Sequence, residues 1–383
     1  MKKAIIEVAR ILAGLVFVFS GFVKAVDPLG GTYKLEDYFY AFGWNFAVPY
    51  AFVLAVLLAG LEFVTGVSLL LKVKVNVFSW IALGFMVVFT PLTLYIAINN
   101  PVTDCGCFGD ALKLSNWETF YKNIVISGLV LITWMNRKKY QVVSGEHILL
   151  AGTVGVIAFV MWYSYTYLPL IDFRPYKVGN NLPELMKIPE GAPQDEYIYY
   201  YTLKNKVTGN TKQIDSKQYI ESKIWQDTTW EIIQTSDPVL IKEGYHPPVH
   251  DFVITSEEGD DITDRVLNAP NYFLLVSYDI EKFDRKSLPE LRKIVDFLAS
   301  NGYNIILLTA SNATVTNNFL NSVGINLPVY FGDEINLKTI IRSNPGLVLL
   351  QYGTVAGKWS RNNLPDIEEL KELIKNAEQK VRR

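Results

Sequence analysis

Five apolar runs in the first 170 residues constrain this chain more than anything else in it: Ile5 to Val23, Val48 to Leu71, Val77 to Ala97, Ile124 to Trp134 and Ile148 to Leu168. Most reach the roughly 20 residues that a helix needs to cross a bilayer. The fourth is short, but Ser115 followed by Glu118 forms a capping box. Its helix is predicted to start at Asn116 and to gain length through Trp117, Phe120 and Tyr121, which makes five spans.

Lys2 and Lys3 ahead of an apolar core, with Ser20 and Gly21 after it, also fit a cleavable signal peptide. Further spans follow closely and no cysteine follows to accept a lipid, so a retained first helix is the expectation. Basic residues mark alternate loops: Lys2 and Lys3, then Lys72 and Lys74, then Arg137, Lys138 and Lys139. The positive-inside rule therefore places the N-terminus in the cytoplasm. Five crossings send everything after about Asp172 to the other side, which in a bacterium is the periplasm. A mean hydropathy of +0.17 averages a membrane half with a soluble half. A net charge of -2 and the lack of a basic stripe give no reason to expect nucleic acid.

The only two cysteines lie between the third and fourth runs, in Asp104-Cys105-Gly106-Cys107-Phe108-Gly109-Asp110. A disulfide across one intervening residue needs a Cα separation of roughly 4.4 to 6.8 Å, and Gly106 eases the bend through positive φ. Closing so short a loop removes little unfolded-state entropy, which argues against a structural staple; a strained ring would be easily reduced. Asp104 and Asp110 would raise the thiol pKa values, whereas Lys122 and the N-terminus of the fourth helix would lower them. Cys105 and Cys107 are the candidate catalytic pair. An inert pair stays open, as does a two-Cys, two-His metal set with His246 and His250; no metal site is assigned.

Charged residues inside the spans are the next signal. Arg10 lies about five residues into the first helix, roughly 7 Å deep, and Glu62 lies at an overlapping depth in the second. Both are costly in hydrocarbon, so an Arg10 to Glu62 pair is expected, either structural or serving a proton or quinone. Lys24 and Asp27 are expected at the headgroup level. Trp44, Phe46, Tyr50, Phe108, Trp117, Phe120 and Tyr121 either form an aromatic pocket near the cysteines or belong to an interface belt.

The soluble half divides again. Residues 173 to 249 are β-rich, with Tyr197 to Leu203 and Thr228 to Ile233 as strands and Val207-Thr208-Gly209-Asn210 as a turn. From about His250, strands and helices alternate: strand Tyr272 to Tyr278, helix Ser287 to Ser300, strand Tyr303 to Thr309, helix Asn312 to Val323, hairpin Leu347 to Gln351 with Val355 to Trp359, and helix Pro365 to Ala377. That pattern implies a parallel core with an antiparallel edge.

Two resemblances follow from these residues. The order from 250 to 383 resembles the thioredoxin-like fold of membrane-tethered thiol-disulfide proteins, with Asp251-Phe252-Val253-Ile254 and Glu258-Gly259-Asp260 as its N-terminal hairpin and Asn344-Pro345 at the position of its cis-proline. Where that family carries Cys-x-x-Cys, this chain reads Ser277-Tyr278-Asp279-Ile280-Glu281-Lys282-Phe283, so the domain is expected to dock or sense, or merely to cover the membrane part. Arg10-Ile11-Leu12-Ala13-Gly14, Phe19-Ser20-Gly21-Phe22-Val23-Lys24, Glu62 and the Cys-Gly-Cys-Phe-Gly string resemble the DoxX and methylamine-utilisation MauE group over about residues 1 to 140.

The expected fold class is thus a membrane α-helical bundle, four helices of the DoxX/MauE kind plus one tethering helix at 141 to 172, followed by the β-rich linker domain and a soluble α/β thioredoxin-like domain. The resemblance implies a bacterial inner-membrane redox component facing the periplasm, acting on a periplasmic protein through the thioredoxin-like domain. No resident cofactor is fixed by the residues. A membrane quinone is the implied candidate, with Arg10, Glu62, Phe108 and Trp117 as its binding residues. The alternative is a non-enzymatic assembly or maturation factor.

Overall fold

A computed structural model describes residues 2–102, 104–141, 144–242 and 244–381. Six helices make up the first half: α1 (Lys2–Val26), α2 (Pro28–Ala41), α3 (Ala51–Leu70), α4 (Val75–Asn99), α5 (Asn116–Met135) and α6 (Glu146–Thr166). Among the described residues four helical segments are long and apolar enough to cross a membrane: Lys3–Val26, Asn45–Leu71, Val75–Asn99 and Glu146–Thr166. The chain is a membrane protein. The expected fourth span of five, α5, falls short in apolarity because Asn116, Glu118, Lys122 and Asn123 occupy its first two turns. It still runs the length of the bundle against α4. Asn116 Nδ2 bonds Asn100 Oδ1 at 3.1 Å at one end, and Arg137 sits 5.2 Å over the Trp80 ring at the other.

Close approach of α1 and α3 is built on glycine. A Cβ on Gly21 would collide with the Phe63 backbone nitrogen, and one on Gly66 with that of Val18. Small residues at such crossings let membrane helices pack backbone to backbone. The contact also fixes the antiparallel register, bringing Leu70 beside Arg10 and Glu62 beside Ser20.

Residues Leu182–His250 form a separate compact unit. It holds a short helix α7 (Leu182–Leu185), strands β1 (Glu196–Ile198), β2 (Tyr200–Asn205) and β3 (Thr211–Asp215), helix α8 (Ser216–Glu221), and strands β4 (Trp230–Thr235) and β5 (Val239–Lys242). β3, β2 and β4 make an antiparallel sheet in that order, and β1 pairs with β5. The unit begins nine residues later than expected. Residues 173–181 belong with the remainder of the chain, where Gly179 N donates to the Val355 carbonyl and Val355 N to that of Asn180.

The C-terminal part contains α9 (Thr263–Asn268), β6 (Tyr272–Ser277), α10 (Leu288–Ser300), β7 (Asn304–Thr309), α11 (Ala313–Val323), β8 (Val329–Phe331), α12 (Glu334–Ile340), β9 (Gly346–Gln351), β10 (Thr354–Ser360) and α13 (Ile367–Val381). The five strands run in the order β10-β9-β6-β7-β8. β6, β7 and β8 are parallel, and β9 and β10 are antiparallel. All six β6 residues are buried, as suits a central strand covered on both faces. Amphipathic α10 closes on the sheet with Leu291, Ile294, Val295 and Leu298, and α13 with Leu370 and Ile374. The Asn344-Pro345 bond is cis. A parallel β-α-β unit joined to an antiparallel hairpin, with a cis-proline before the hairpin, is the thioredoxin-like fold. Its first strand is preceded by the expected turned-back segment, in which Ile262 N donates to the Ile254 carbonyl. The long elements follow the sequence periodicity; β8, α9, α12 and, in the membrane half, α2 are additional to it.

Candidate functional site

The loop between α4 and α5 is held at both ends. Asn100 closes α4 in the left-handed region, with φ of 45°, Asn116 Nδ2 donates to the Val102 carbonyl at 3.1 Å, and the capping box of Ser115 and Glu118 starts α5. Between these points Gly106 and Gly109 adopt φ of 64° and 52°. Gly106 is needed twice over, because a Cβ there would also press on Lys34 Cγ at 2.7 Å. Helix α2 supplies that lysine, whose Nζ lies 3.2 Å from Asp104. It also supplies Tyr38, whose hydroxyl donates to the Cys105 carbonyl at 2.8 Å, while Ser20 of α1 donates to the Cys107 carbonyl at 2.9 Å.

The carbonyl anchors turn the two sulfurs toward each other, 2.6 Å apart. The hydrogen bond from the Cys105 thiol is the main influence lowering the Cys107 pKa to about 6; burial opposes it, and the Lys122 and Lys24 ammonium groups assist. Cys105 moves the other way, raised by that same hydrogen bond and by burial. Of the expected influences, Lys122 acts as foreseen. The acidic flanks are engaged elsewhere: Asp104 is paired with Lys34, and Asp110 lies 3.6 Å from Arg342. Low pKa and partial access are the attributes of a reactive cysteine.

The expected pair of Arg10 and Glu62 does not form. Arg10 pairs with Glu7 at 2.8 Å and donates to the Leu69 and Leu70 carbonyls, near the end where Lys72 meets Glu7. Glu62 instead holds Lys24, with Nζ 2.7 Å from each carboxylate oxygen, and Ser20 Oγ at 2.8 Å. The glycine-set register is the reason: it sets α1 and α3 so that Lys24, about 21 Å further along α1 than Arg10 at 1.5 Å per residue, reaches Glu62. Lys24 is therefore turned into the bundle.

The expected aromatic pocket is also rearranged. Phe108 is buried, edge-on to Phe19 at 5.2 Å, with Lys122 Nζ 4.1 Å from its ring centroid. Trp117 stacks with Tyr121 and meets Phe120 on an exposed face of α5. Neither residue lines the large cavity. That cavity, about 660 Å3, is faced by Cys105 and Cys107, by Tyr38 and Phe39 of α2, by Phe42 and Trp44 just after it, and by Leu58, Val88 and Leu92 from the membrane helices. Its far wall is α12, with Lys338, and Arg342 just beyond the end of that helix. Among the described residues no group of three or more His, Cys, Asp or Glu side chains could hold a metal; His246 contacts Asp195 at 3.1 Å.

The thioredoxin-like domain turns its cis-proline edge toward α2. Arg342 Nε lies 2.9 Å from Asp27 Oδ2, and the Tyr33 and Tyr278 hydroxyls are 3.2 Å apart. Burial works against ionisation of Asp27, yet Arg342 and Arg174 hold its pKa below the ordinary value. Where the dithiol of the fold would stand, Ser277 Oγ donates to Asn344 Oδ1 at 2.7 Å. Asp172 sits between Arg174 and Lys358, both at 2.8 Å, and fastens the segment after α6 to β10.

These features define a class: a helical membrane protein with a dicysteine loop beneath a thioredoxin-like domain that has no thiols of its own. Residues 2–136 match the family described as methylamine utilisation protein MauE. The match supports the MauE side of the resemblance and does not extend to DoxX. No curated protein sequence matches the chain. Among solved structures, the C-terminal domain of a putative thiol-disulfide oxidoreductase from Bacteroides thetaiotaomicron is similar at 18% identity and a TM-score of 0.27, covering 34% of this chain and 93% of that one. A thiol:disulfide interchange protein of the thioredoxin family from Chlorobium tepidum TLS is similar at 14% and 0.24, covering 33% and 92%. Such scores carry no functional argument, and the fold rests on strand order.

Proposed function

We propose that the protein is a bacterial inner-membrane thiol-disulfide component in which Cys105 and Cys107 cycle between dithiol and disulfide, with the N-terminus cytoplasmic and the thioredoxin-like domain periplasmic. The observation that carries this reading is the facing pair of sulfurs, 2.6 Å apart, at the wall of a large, partly apolar cavity. In the reduction step a partner thiolate attacks the Cys105 sulfur and Cys107 leaves, the sulfur with the lower pKa being the better leaving group. A second partner thiolate then releases Cys105, so the partner loses two electrons and the pair gains them.

Cavities of roughly 300 to 1,000 Å3 with apolar walls and a few polar groups suit small ligands, and this one meets both membrane helices and sulfurs. A membrane quinone there would accept the electron pair and two protons, restoring the disulfide. Phe39, Phe42 and Trp44 take the role expected of Phe108 and Trp117, while Arg10 lies too far along α1 to share it. Partner recognition falls to the thioredoxin-like domain: parting Asp27 from Arg342 would uncover both its cis-proline edge and the dicysteine loop.

Thiol trapping across a glutathione or dithiothreitol series tests the reading. A reversible couple above about -220 mV is expected, in the range of known oxidants. A pair that stays reduced, or a disulfide that resists reduction below about -300 mV, would favour the non-enzymatic assembly factor instead. Changing both cysteines to serine should then reduce only stability rather than abolish function.

A further inference from the structure

Lys24, Glu62, Phe89 and Cys107 line the large cavity and also a second one of about 50 Å3, deeper in the bundle among Phe17, Met86 and Asn123. They are the partition between the two. Within it Lys24 Nζ lies 2.7 Å from both Glu62 oxygens and 3.1 Å from Ser20 Oγ, and Ser20 joins Glu62 to the Cys107 carbonyl. Glu62 is only 5% exposed. The ionisable groups around the partition are Lys24 from α1, Lys122 from α5, Tyr38 from α2 and Cys105 in the loop; α4 contributes Met86 and Phe89, which carry no charge.

A thiolate made here by losing its proton to water would add a net negative charge to a buried site, which a low-dielectric interior penalises heavily. A proton moved within the cluster adds none. Resting on the redox reading of Cys105 and Cys107, we propose that Glu62 is the proton acceptor of the reduced pair and Lys24 the carrier. The Cys107 S–H bond breaks, Lys24 hands one proton to Glu62 as it receives the thiol proton, and the Lys24 ammonium exchanges the Glu62 carboxylate for the Cys107 thiolate as its partner. Two-electron reduction of the disulfide then takes up two protons, one on Cys105 and one on Glu62, and the net charge of the site is the same in both redox states.

The test is the pH dependence of the reduction potential of the full-length protein in nanodiscs, measured between about pH 7 and 9. Its slope counts protons taken up per electron pair. The expected counts are two for the unaltered protein, one for Glu62→Gln and two again for Glu62→Asp. One proton in the unaltered protein, or two in Glu62→Gln, would overturn the proposal. A reduced-minus-oxidised infrared spectrum gives an independent reading on the unaltered chain alone: the carbonyl band of a protonated carboxylic acid appears on reduction, and its absence overturns the relay. Absence of any reversible couple sinks the redox reading itself, so the two failures are distinguishable.

Discussion

Helix α1 turns two cations into the bundle, and they keep different company. Arg10 is 2% exposed and fully engaged by Glu7 and by the carbonyls that end α3. Lys24 holds Glu62 and Ser20 beside Cys107, on the wall of two cavities. Charge inside a membrane helix is costly in both places. What differs is what lies opposite: a helix C-terminus, with its unsatisfied carbonyls, at one end, and a titratable sulfur at the other. Intramembrane charge is a pointer to function only once its partner is known.

Separating the two helices erases the contrast altogether. Gly66→Val drives a branched side chain into the Val18 backbone, so a loss of several kcal/mol, beyond the ~1–3 kcal/mol of ordinary overpacking, is expected in unfolding titrations, with both cation sites lost. A stability near that of the unaltered protein would mean that the crossing is looser than described. Next in size, Lys24→Met leaves the buried Glu62 carboxylate without its cation and should cost roughly 3–5 kcal/mol, whereas Arg10→Met leaves Glu7 partly exposed and still paired with Lys72 and should cost less. Only Lys24→Met should also move the pH midpoint of Cys107 alkylation upward, because the thiolate loses a cation. Equal midpoints in the two variants would break the comparison.

A smaller effect belongs to the intact site. The alkylation rate of Cys107 should rise with pH through about 6 and then level off, while Cys105, whose pKa is raised, reacts slowly throughout. Mass spectrometry of singly labelled protein checks this, and labelling that favours Cys105 would reverse the assignment. Smallest is Asp172, whose pKa falls to about 2 because Arg174 and Lys358 outweigh the effect of burial. A depressed carboxyl contributes stability above its unfolded pKa, about 3.9, that is lost as pH falls toward 2. Asp172→Asn should flatten the acid limb of stability over that window and change nothing at the cysteines.

The elements with a clear period were legible. Runs of apolar residues announced the long membrane helices, Ser115 and Glu118 announced the start of α5, and the YFLLVSY and YNIILLT runs announced β6 and β7. Helix α2 gives no clear period because Gly30, Gly31 and four aromatic or acidic residues from Tyr33 to Tyr38 leave no clean amphipathic stripe. Asp27 followed by Pro28 was nonetheless a readable start, an N-cap with proline at N1. The helix that supplies Lys34 and Tyr38 to the dicysteine loop is therefore the least legible part of the site. The ion pairing is hidden for a different reason: depth along a helix can be counted from sequence, but the offset between α1 and α3 is set by Gly21 and Gly66, whose partners are backbone atoms and leave no chemical signature.

The thioredoxin-like domain docks on α2 through Asp27 and Arg342 while tied to α6 by the same polypeptide. Docking is thus intramolecular, and short tethers impose effective concentrations of about millimolar order. A soluble protein present at about micromolar concentration meets a competitor roughly a thousandfold more abundant, a handicap of about 4 kcal/mol. Its affinity for the cis-proline edge has to exceed that of α2 by this margin before the lid stands open half the time, so the tether length is itself a filter on which proteins gain access.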